Sequence, residues 1–122
     1  MMNPVFQVAL GGALGATARH GVNLGAARLF GPGFPTATLG VNILGSFVMG
    51  LLAALLAVRG NAWAPFLMTG VLGGFTTFSA FSLDAVALWQ RGQGGAAALY
   101  VGASVVLSIA ALLAGLALGR LA

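Results

Sequence analysis

Charge is scarce in this sequence, and cysteine is missing altogether. Five arginines and one aspartate are the only charged side chains among 122 residues, of which 60% are hydrophobic. A soluble domain needs more polar surface to face water, so the composition predicts an integral membrane protein. Without cysteine, disulfides and thiolate metal sites are excluded. We therefore expect an all-α fold in which apolar helices pack against one another and against lipid.

The scarcity of charge also excludes two classes of function. The five arginines are scattered and form no basic stripe, so we expect no nucleic-acid partner. One histidine and one acid, His20 and Asp84, cannot supply a nucleophile, a base and an orienting group. We therefore expect neither an enzyme nor catalytic residues.

Four apolar stretches alternate with short polar, glycine-rich or proline-rich connections. Each stretch reaches the roughly 20 residues that a membrane helix needs. The predicted spans are about 4–27, 36–58, 63–90 and 96–119, with Asn3 capping the first helix and Pro4 at its first position. The chain, 1–122, is thus predicted to form one four-span domain of a multi-pass protein in the cell membrane.

The third stretch has a composition that does not suit a continuous helix. Within TGVLGGFTTFSAFSLDA, Thr69 to Ala85, glycines, threonines and serines alternate with phenylalanines. A straight helix over 63–90 would be about 42 Å long, against a hydrocarbon core of about 30 Å. We predict a break at 73–77, which membrane proteins tolerate where the irregular backbone is buried or lines a cavity. The broken ends would offer carbonyls to a cation and amides to an anion.

Two sets of polar residues recur at a spacing of four. They are Thr38, Asn42 and Ser46 in the second span, and Tyr100, Ser104 and Ser108 in the fourth. This spacing places each set on one face of a helix. Hydrogen bonding between helices, or back to the same helix, would explain any one of them. Taken as two complete stripes they favour a polar pathway through the membrane.

Two phenylalanines follow the predicted break and share a helix face. Phe78 and Phe81 are three residues apart, and the positive edge of a phenyl ring can meet an anion. Simple packing is the alternative for this pair. Asp84, one turn further on, could cap a helix, pair with an arginine or take part in function.

The arginines are balanced across the predicted membrane. Arg28 and Arg91 would lie on one side, and Arg59 and Arg120 on the other. The imbalance that normally sets orientation is therefore nearly absent, and copies could insert both ways and pair as an antiparallel homodimer. Alternatively, a single charge near the first span decides one topology. Four thin helices scarcely enclose a pathway alone, so a transport role implies an oligomer.

Glycine pairs at a spacing of four favour close contact between helices. The pairs are Gly11 with Gly15, Gly21 with Gly25, Gly70 with Gly74, and Gly115 with Gly119. They predict packing within the chain or a dimer face.

Three motifs together carry a family resemblance. GGALGATAR in the first span, VNILG in the second and GGFTTFSAFS in the third closely resemble the Fluc, or CrcB, fluoride channels. The resemblance covers nearly the whole chain. It implies a fluoride-selective passive channel that exports fluoride and lowers its cytoplasmic concentration. It also implies an antiparallel dual-topology homodimer in the membrane.

The resemblance also implies roles for individual residues. Gly73 and Thr76 resemble the positions whose backbone carbonyls hold a structural sodium ion, Na+, that is not transported. The residues that match the ion pathway are Asn42, Phe78, Phe81, Tyr100, Ser104, Ser108 and, at the vestibule, Arg19; Thr38 joins them from its stripe. Asp84 stands where a glutamate is common, Ala80 where a threonine is common, and His20 where a tyrosine often follows the arginine.

Two other functions fit parts of the pattern. A small dual-topology multidrug or cation exporter would need an acid in mid-membrane, whereas Asp84 lies near the end of a span. A non-conducting membrane assembly protein would explain the glycine pairs, but not both polar stripes. The fluoride channel accounts for all of these features.

Overall fold

Helices and turns make up the part of the chain that the structure describes, with no strand. The computed structural model describes residues 2–59 and 62–122. The helices are α1 (Pro4–Phe30), α2 (Thr36–Arg59), a π-helix (Pro65–Leu72), α3 (Gly73–Phe75), α4 (Phe78–Gln90) and α5 (Gly94–Leu121). The predicted connection at Gly60 and Asn61, and the side chain of Arg59 with its charge, lie outside the described residues.

Three stretches in the described residues are long and apolar enough to cross a membrane. They are Thr36–Ala57, Pro65–Gln90 and Gly94–Leu121. These stretches confirm the prediction of an all-helical membrane protein. The helix α1 has 27 residues, but Gln7, Arg19 and His20 make it more polar than the other three. Its role as a fourth span stays a prediction.

The start of α1 has the predicted cap. The side-chain oxygen of Asn3 accepts a hydrogen bond from the Val5 amide at 2.8 Å, and Pro4 occupies the first turn. The cap satisfies an amide that has no partner within the helix. The helix ends at Gly31, whose φ of 69° is readily adopted only by glycine.

Helix pairs are held together by close backbone contact. Helix α1 packs on the π-helix, where a Cβ built on Gly11 would lie 2.9 Å from the Gly70 Cα. Helix α2 packs on α5, where a Cβ on Gly115 would meet the Phe47 carbonyl. Packing within the chain therefore explains the pairs Gly11 with Gly15, Gly70 with Gly74, and Gly115 with Gly119. Nothing lies within 4 Å of a Cβ on Gly21 or Gly25.

The backbone between α3 and α4 leaves helical geometry for two residues. Thr76 has φ −86° and ψ 160°, and Thr77 has φ −154° and ψ 127°. Both are extended conformations. The π-helix immediately precedes α3, so the stretch from Pro65 to Phe78 changes from π-helix to a short α-helix and then to two extended residues before α4 begins.

Candidate functional site

A groove of about 380 Å³ lies where α2, the Thr76–Thr77 segment, α4 and α5 meet. Its polar and aromatic lining consists of Asn42, Ser46, Thr76, Thr77, Phe78, Phe81, Ser104 and Ser108. The remaining lining is glycine and apolar side chains, and no charged side chain is among the lining residues. The structure thus brings together five of the residues predicted for the ion pathway, one from α2, two from α4 and two from α5.

The two serines of α5 lack hydrogen-bond partners among the described residues. The hydroxyl oxygens of Ser104 and Ser108 are both buried and unpaired. Serine in a helix usually bonds to the carbonyl four residues earlier, as Ser82 does to Phe78 at 2.9 Å. A buried hydroxyl without a partner is unfavourable by about 1–3 kcal/mol. Because both serines also line the groove, their hydroxyls are the candidates to donate to a polar species there.

Asn42 is bonded to the backbone of the non-helical segment. Its side-chain oxygen accepts a hydrogen bond from the Thr77 amide at 2.8 Å, and its side-chain nitrogen donates to the Thr77 carbonyl at 3.0 Å. The two bonds connect α2 to the Thr76–Thr77 segment across 35 residues of sequence. The amide nitrogen keeps one N–H free. Asn42 therefore positions backbone and retains a donor at the groove.

Arg19 lies at the same segment but does not line the groove. Its Nε donates a hydrogen bond to the Gly74 carbonyl at 3.1 Å. The guanidinium of α1 thus satisfies a carbonyl near the end of α3. The family resemblance implied that Arg19 belongs to the ion pathway. No local sequence pattern indicates the bond between Arg19 and Gly74.

The two phenylalanines differ in their surroundings. Their ring centroids are 5.4 Å apart, but Phe81 is 9% exposed whereas Phe78 is 77% exposed. Phe81 also packs against the ring of Tyr100 at 5.3 Å. Phe81 therefore joins the groove to the buried core, while Phe78 contributes a largely uncovered ring to the edge of the groove.

Tyr100 lies in the core and not in the groove. It is fully buried, and the Phe34 ring meets its ring edge to face at 5.5 Å. The Tyr100 hydroxyl donates a hydrogen bond to Asp84 Oδ2 at 3.1 Å. Thr38 is also buried and outside the groove lining. The sequence did not indicate the partnership of Asp84 with Tyr100.

Gly73 begins α3, just before the Thr76–Thr77 segment, and Thr76 is the first residue of that segment. The Thr76 hydroxyl donates to the Leu72 carbonyl at 2.9 Å, so its side chain is bonded within its own segment. Gly73 is exposed in the protomer. A ligand bound by these two residues would therefore contact their main-chain carbonyl oxygens.

Comparison with known proteins identifies the family. The family model described as CrcB-like protein, Camphor Resistance (CrcB), matches residues 6–116. The chain belongs to the CrcB family. The resemblance drawn from the three sequence motifs is therefore confirmed.

Several relatives are similar to this chain over nearly their whole lengths. A protein of Cereibacter sphaeroides is 64% identical over 120 residues, which are 98% of this chain and 97% of the relative. A protein of Paracoccus denitrificans is 63% identical over 121 residues, with 98% and 97% covered. One of Caulobacter vibrioides is 51% identical over 123 residues, again with 98% and 97% covered. Each is named a fluoride-specific ion channel, FluC.

These names describe a membrane channel and not an enzyme. They agree with the expectation that this CrcB chain carries no catalytic site. Together with the three apolar helices they also agree with a multi-pass protein of the plasma membrane.

Proposed function

We propose that this chain is a fluoride-selective passive channel that exports fluoride and lowers its cytoplasmic concentration. The observation that carries the proposal is the pair of unpaired hydroxyls, Ser104 and Ser108, that line a groove without charged side chains. The relatives named fluoride-specific ion channels supply the identity of the ion. The groove supplies donors for a small anion.

The groove chemistry suits rapid passage of an anion. Conduction requires an ion to bind strongly enough to enter and weakly enough to leave. A buried cationic pocket would hold fluoride tightly, whereas serine hydroxyls, an amide N–H of Asn42 and the edges of Phe78 and Phe81 are weak donors. Thr38, Tyr100 and Arg19 complete the proposed pathway outside the groove.

The proposed assembly is an antiparallel dual-topology homodimer of four-span protomers. In each protomer α1 would be the first span, and the third span, 63–90, would be broken at 73–77. The 77% exposure of Phe78 in the protomer leaves a pathway ring without cover. A second copy would cover it. The balance of Arg28 and Arg91 against Arg59 and Arg120 supports insertion in both orientations.

We further propose a structural sodium ion at the dimer axis, held by the Gly73 and Thr76 carbonyls of both protomers and not transported. Unwound backbone carbonyls in membrane helices are suitable ligands for sodium. The residues fit this role, because Thr76 has ψ 160° and its carbonyl departs from the helix direction. The exposed Gly73 lies on a protomer surface that a partner can reach.

A flux assay tests the proposed function directly. The purified protein is reconstituted into liposomes, and efflux of fluoride and of chloride is followed with ion-selective electrodes. We expect rapid fluoride efflux and little chloride efflux, with no dependence on a proton gradient. Equal fluxes of the two anions would remove the fluoride assignment.

The same assay separates the two alternative functions. A small multidrug or cation exporter would couple cation movement to protons through an acid, but Asp84 does not line the groove and accepts a hydrogen bond from Tyr100. A non-conducting assembly protein would pass neither anion.

A further inference from the structure

The carbonyls of Gly73 and Thr76 have each lost the amide that would bond to them in a continuous helix. In an α-helix the amide of each residue bonds to the carbonyl four residues earlier. The partners would be the amides of Thr77 and Ala80. Instead, the Thr77 amide donates to Asn42 Oδ1 at 2.8 Å, and the Ala80 amide donates to Thr77 Oγ1 at 3.1 Å.

We infer that Asn42 and Thr77 are positioning residues of the cation site, because their side-chain oxygens capture the two amides that would otherwise occupy the Gly73 and Thr76 carbonyls. The inference rests on the proposed sodium site. Asn42 also donates to the Thr77 carbonyl at 3.0 Å, so both main-chain polar groups of Thr77 are bonded to Asn42. Neither side chain contacts the cation in this role.

Loss of either side-chain oxygen would favour a continuous helix. A buried amide without an acceptor is unfavourable, and the nearest alternative acceptor is the carbonyl one helical turn earlier. Once that bond forms, the carbonyl points along the helix and one of its two lone pairs is occupied, so it binds a cation less well. Residues that orient the ligands of a metal, without binding it, typically change its affinity by about tenfold to a hundredfold.

The test measures how sodium stabilises the purified protein. Thermal unfolding in detergent is followed while sodium is replaced by N-methyl-D-glucamine at constant ionic strength. The sodium concentration that gives half of the stabilisation is compared among variants. Thr77→Val and Asn42→Leu remove the capturing oxygens, whereas Thr77→Ser keeps one. Thr17→Val is the matched control, because the Thr17 hydroxyl bonds only to Ala13 in its own helix.

We expect Thr77→Val and Asn42→Leu to raise the half-maximal sodium concentration about tenfold to a hundredfold. Thr77→Ser and Thr17→Val should match the wild type. High sodium should restore the stability of the two impaired variants.

Two results would overturn the inference while leaving the sodium site intact. One is a wild-type sodium response in Thr77→Val and Asn42→Leu. The other is instability, or failure to assemble, that no sodium concentration restores, because loss of a plain helix cap lowers stability equally at every concentration. A wild-type protein without any sodium response would instead refute the proposed sodium site, whatever the variants do.

Discussion

At the scale of single residues, Ser82 and Ser108 are both half-buried but differ in what their hydroxyls bond to. The Ser82 hydroxyl donates to the Phe78 carbonyl, whereas the Ser108 hydroxyl has no partner in the described residues. A packing role predicts that each hydroxyl is bonded within the protein. The unpaired one is the better candidate for contact with an ion.

Ser108→Ala should slow fluoride flux in liposomes by roughly tenfold, because a hydrogen bond to a charged group contributes about 1.5 kcal/mol or more. Stability should not fall and should rise somewhat, since no bond within the protomer is lost and an unpaired buried hydroxyl is removed. Ser82→Ala is the matched control and should conduct normally. Normal flux through Ser108→Ala, with dimers that dissociate in detergent, would show that the serine stripe only packs helices.

Phe78→Ile should strongly reduce fluoride flux while the protein stays folded. An aliphatic side chain lacks the positive ring edge that would meet the anion, and Phe78 is 77% exposed, so few core contacts change. Near-isosteric swaps usually destabilise by less than about 1.5 kcal/mol.

Phe81→Ile should reduce flux as well, but it should also lower the unfolding temperature, because Phe81 packs on Tyr100. Phe6 is an exposed phenylalanine on α1, and Phe6→Ile is the control. Wild-type flux through a folded Phe78→Ile variant would contradict the proposal that the aromatic ring contacts the anion.

At the scale of elements, the groove depends on how closely α2 and α5 approach. These helices carry Asn42 on one wall and Ser104 and Ser108 on the other. Their approach is possible because Gly115 has no side chain where it meets the Phe47 carbonyl. Gly115, which has no side chain, therefore helps to set the distance between the two polar walls of the groove.

Gly115→Ala should destabilise the protein and reduce flux. The added methyl group would meet backbone atoms of α2, which cannot rotate away, and overpacking typically lowers the free energy of unfolding by about 1–3 kcal/mol. Gly102→Ala lies on the same helix with nothing within 4 Å of the new Cβ. It should leave flux unchanged and should not lower the unfolding temperature, because alanine is favoured over glycine inside a helix. Equal unfolding temperatures for both variants would contradict the proposed contact.

At the scale of the whole molecule, the proposed dual topology and the proposed sodium site both depend on one arrangement of two protomers. If copies insert in both orientations, a two-fold axis can bring the Gly73 to Thr76 segments of two protomers face to face. Carbonyls from both would then satisfy one desolvated cation, and the cation would satisfy them. Neither protomer could complete this site alone.

Tags on both termini should be accessible from each side of the membrane in roughly equal amounts, because the arginines are balanced between the two sides. Exchange of sodium for a large organic cation should weaken the dimer, which size-exclusion chromatography can follow. A single orientation for all functional copies would refute the antiparallel dimer and the shared cation site.

The features that local sequence predicts well are those that depend on composition and spacing. The membrane class, the all-helical fold, the Asn3 cap and the glycine pairs that pack within the chain follow from hydrophobicity, capping and a period of four. The family followed from three short motifs. A break in the third stretch was predicted at 73–77, and the structure has extended backbone at Thr76 and Thr77, within that range.

Sequence alone determined that this chain is an apolar helical membrane protein, because hydrophobicity and helical periodicity are properties of neighbouring residues. Its three motifs carried the resemblance to the CrcB family. Only the tertiary structure decided which polar groups satisfy one another. Arg19 bonds to Gly74 across 55 residues, Asn42 to Thr77 across 35, and Tyr100 to Asp84 across 16. Such partners depend on which helices pack together and at which positions along their axes. Backbone atoms are present in every residue, so the sequence does not indicate which of them form these bonds. The unpaired state of Ser104 and Ser108 was decided in the same way, because neither hydroxyl has a hydrogen-bond partner in the described chain.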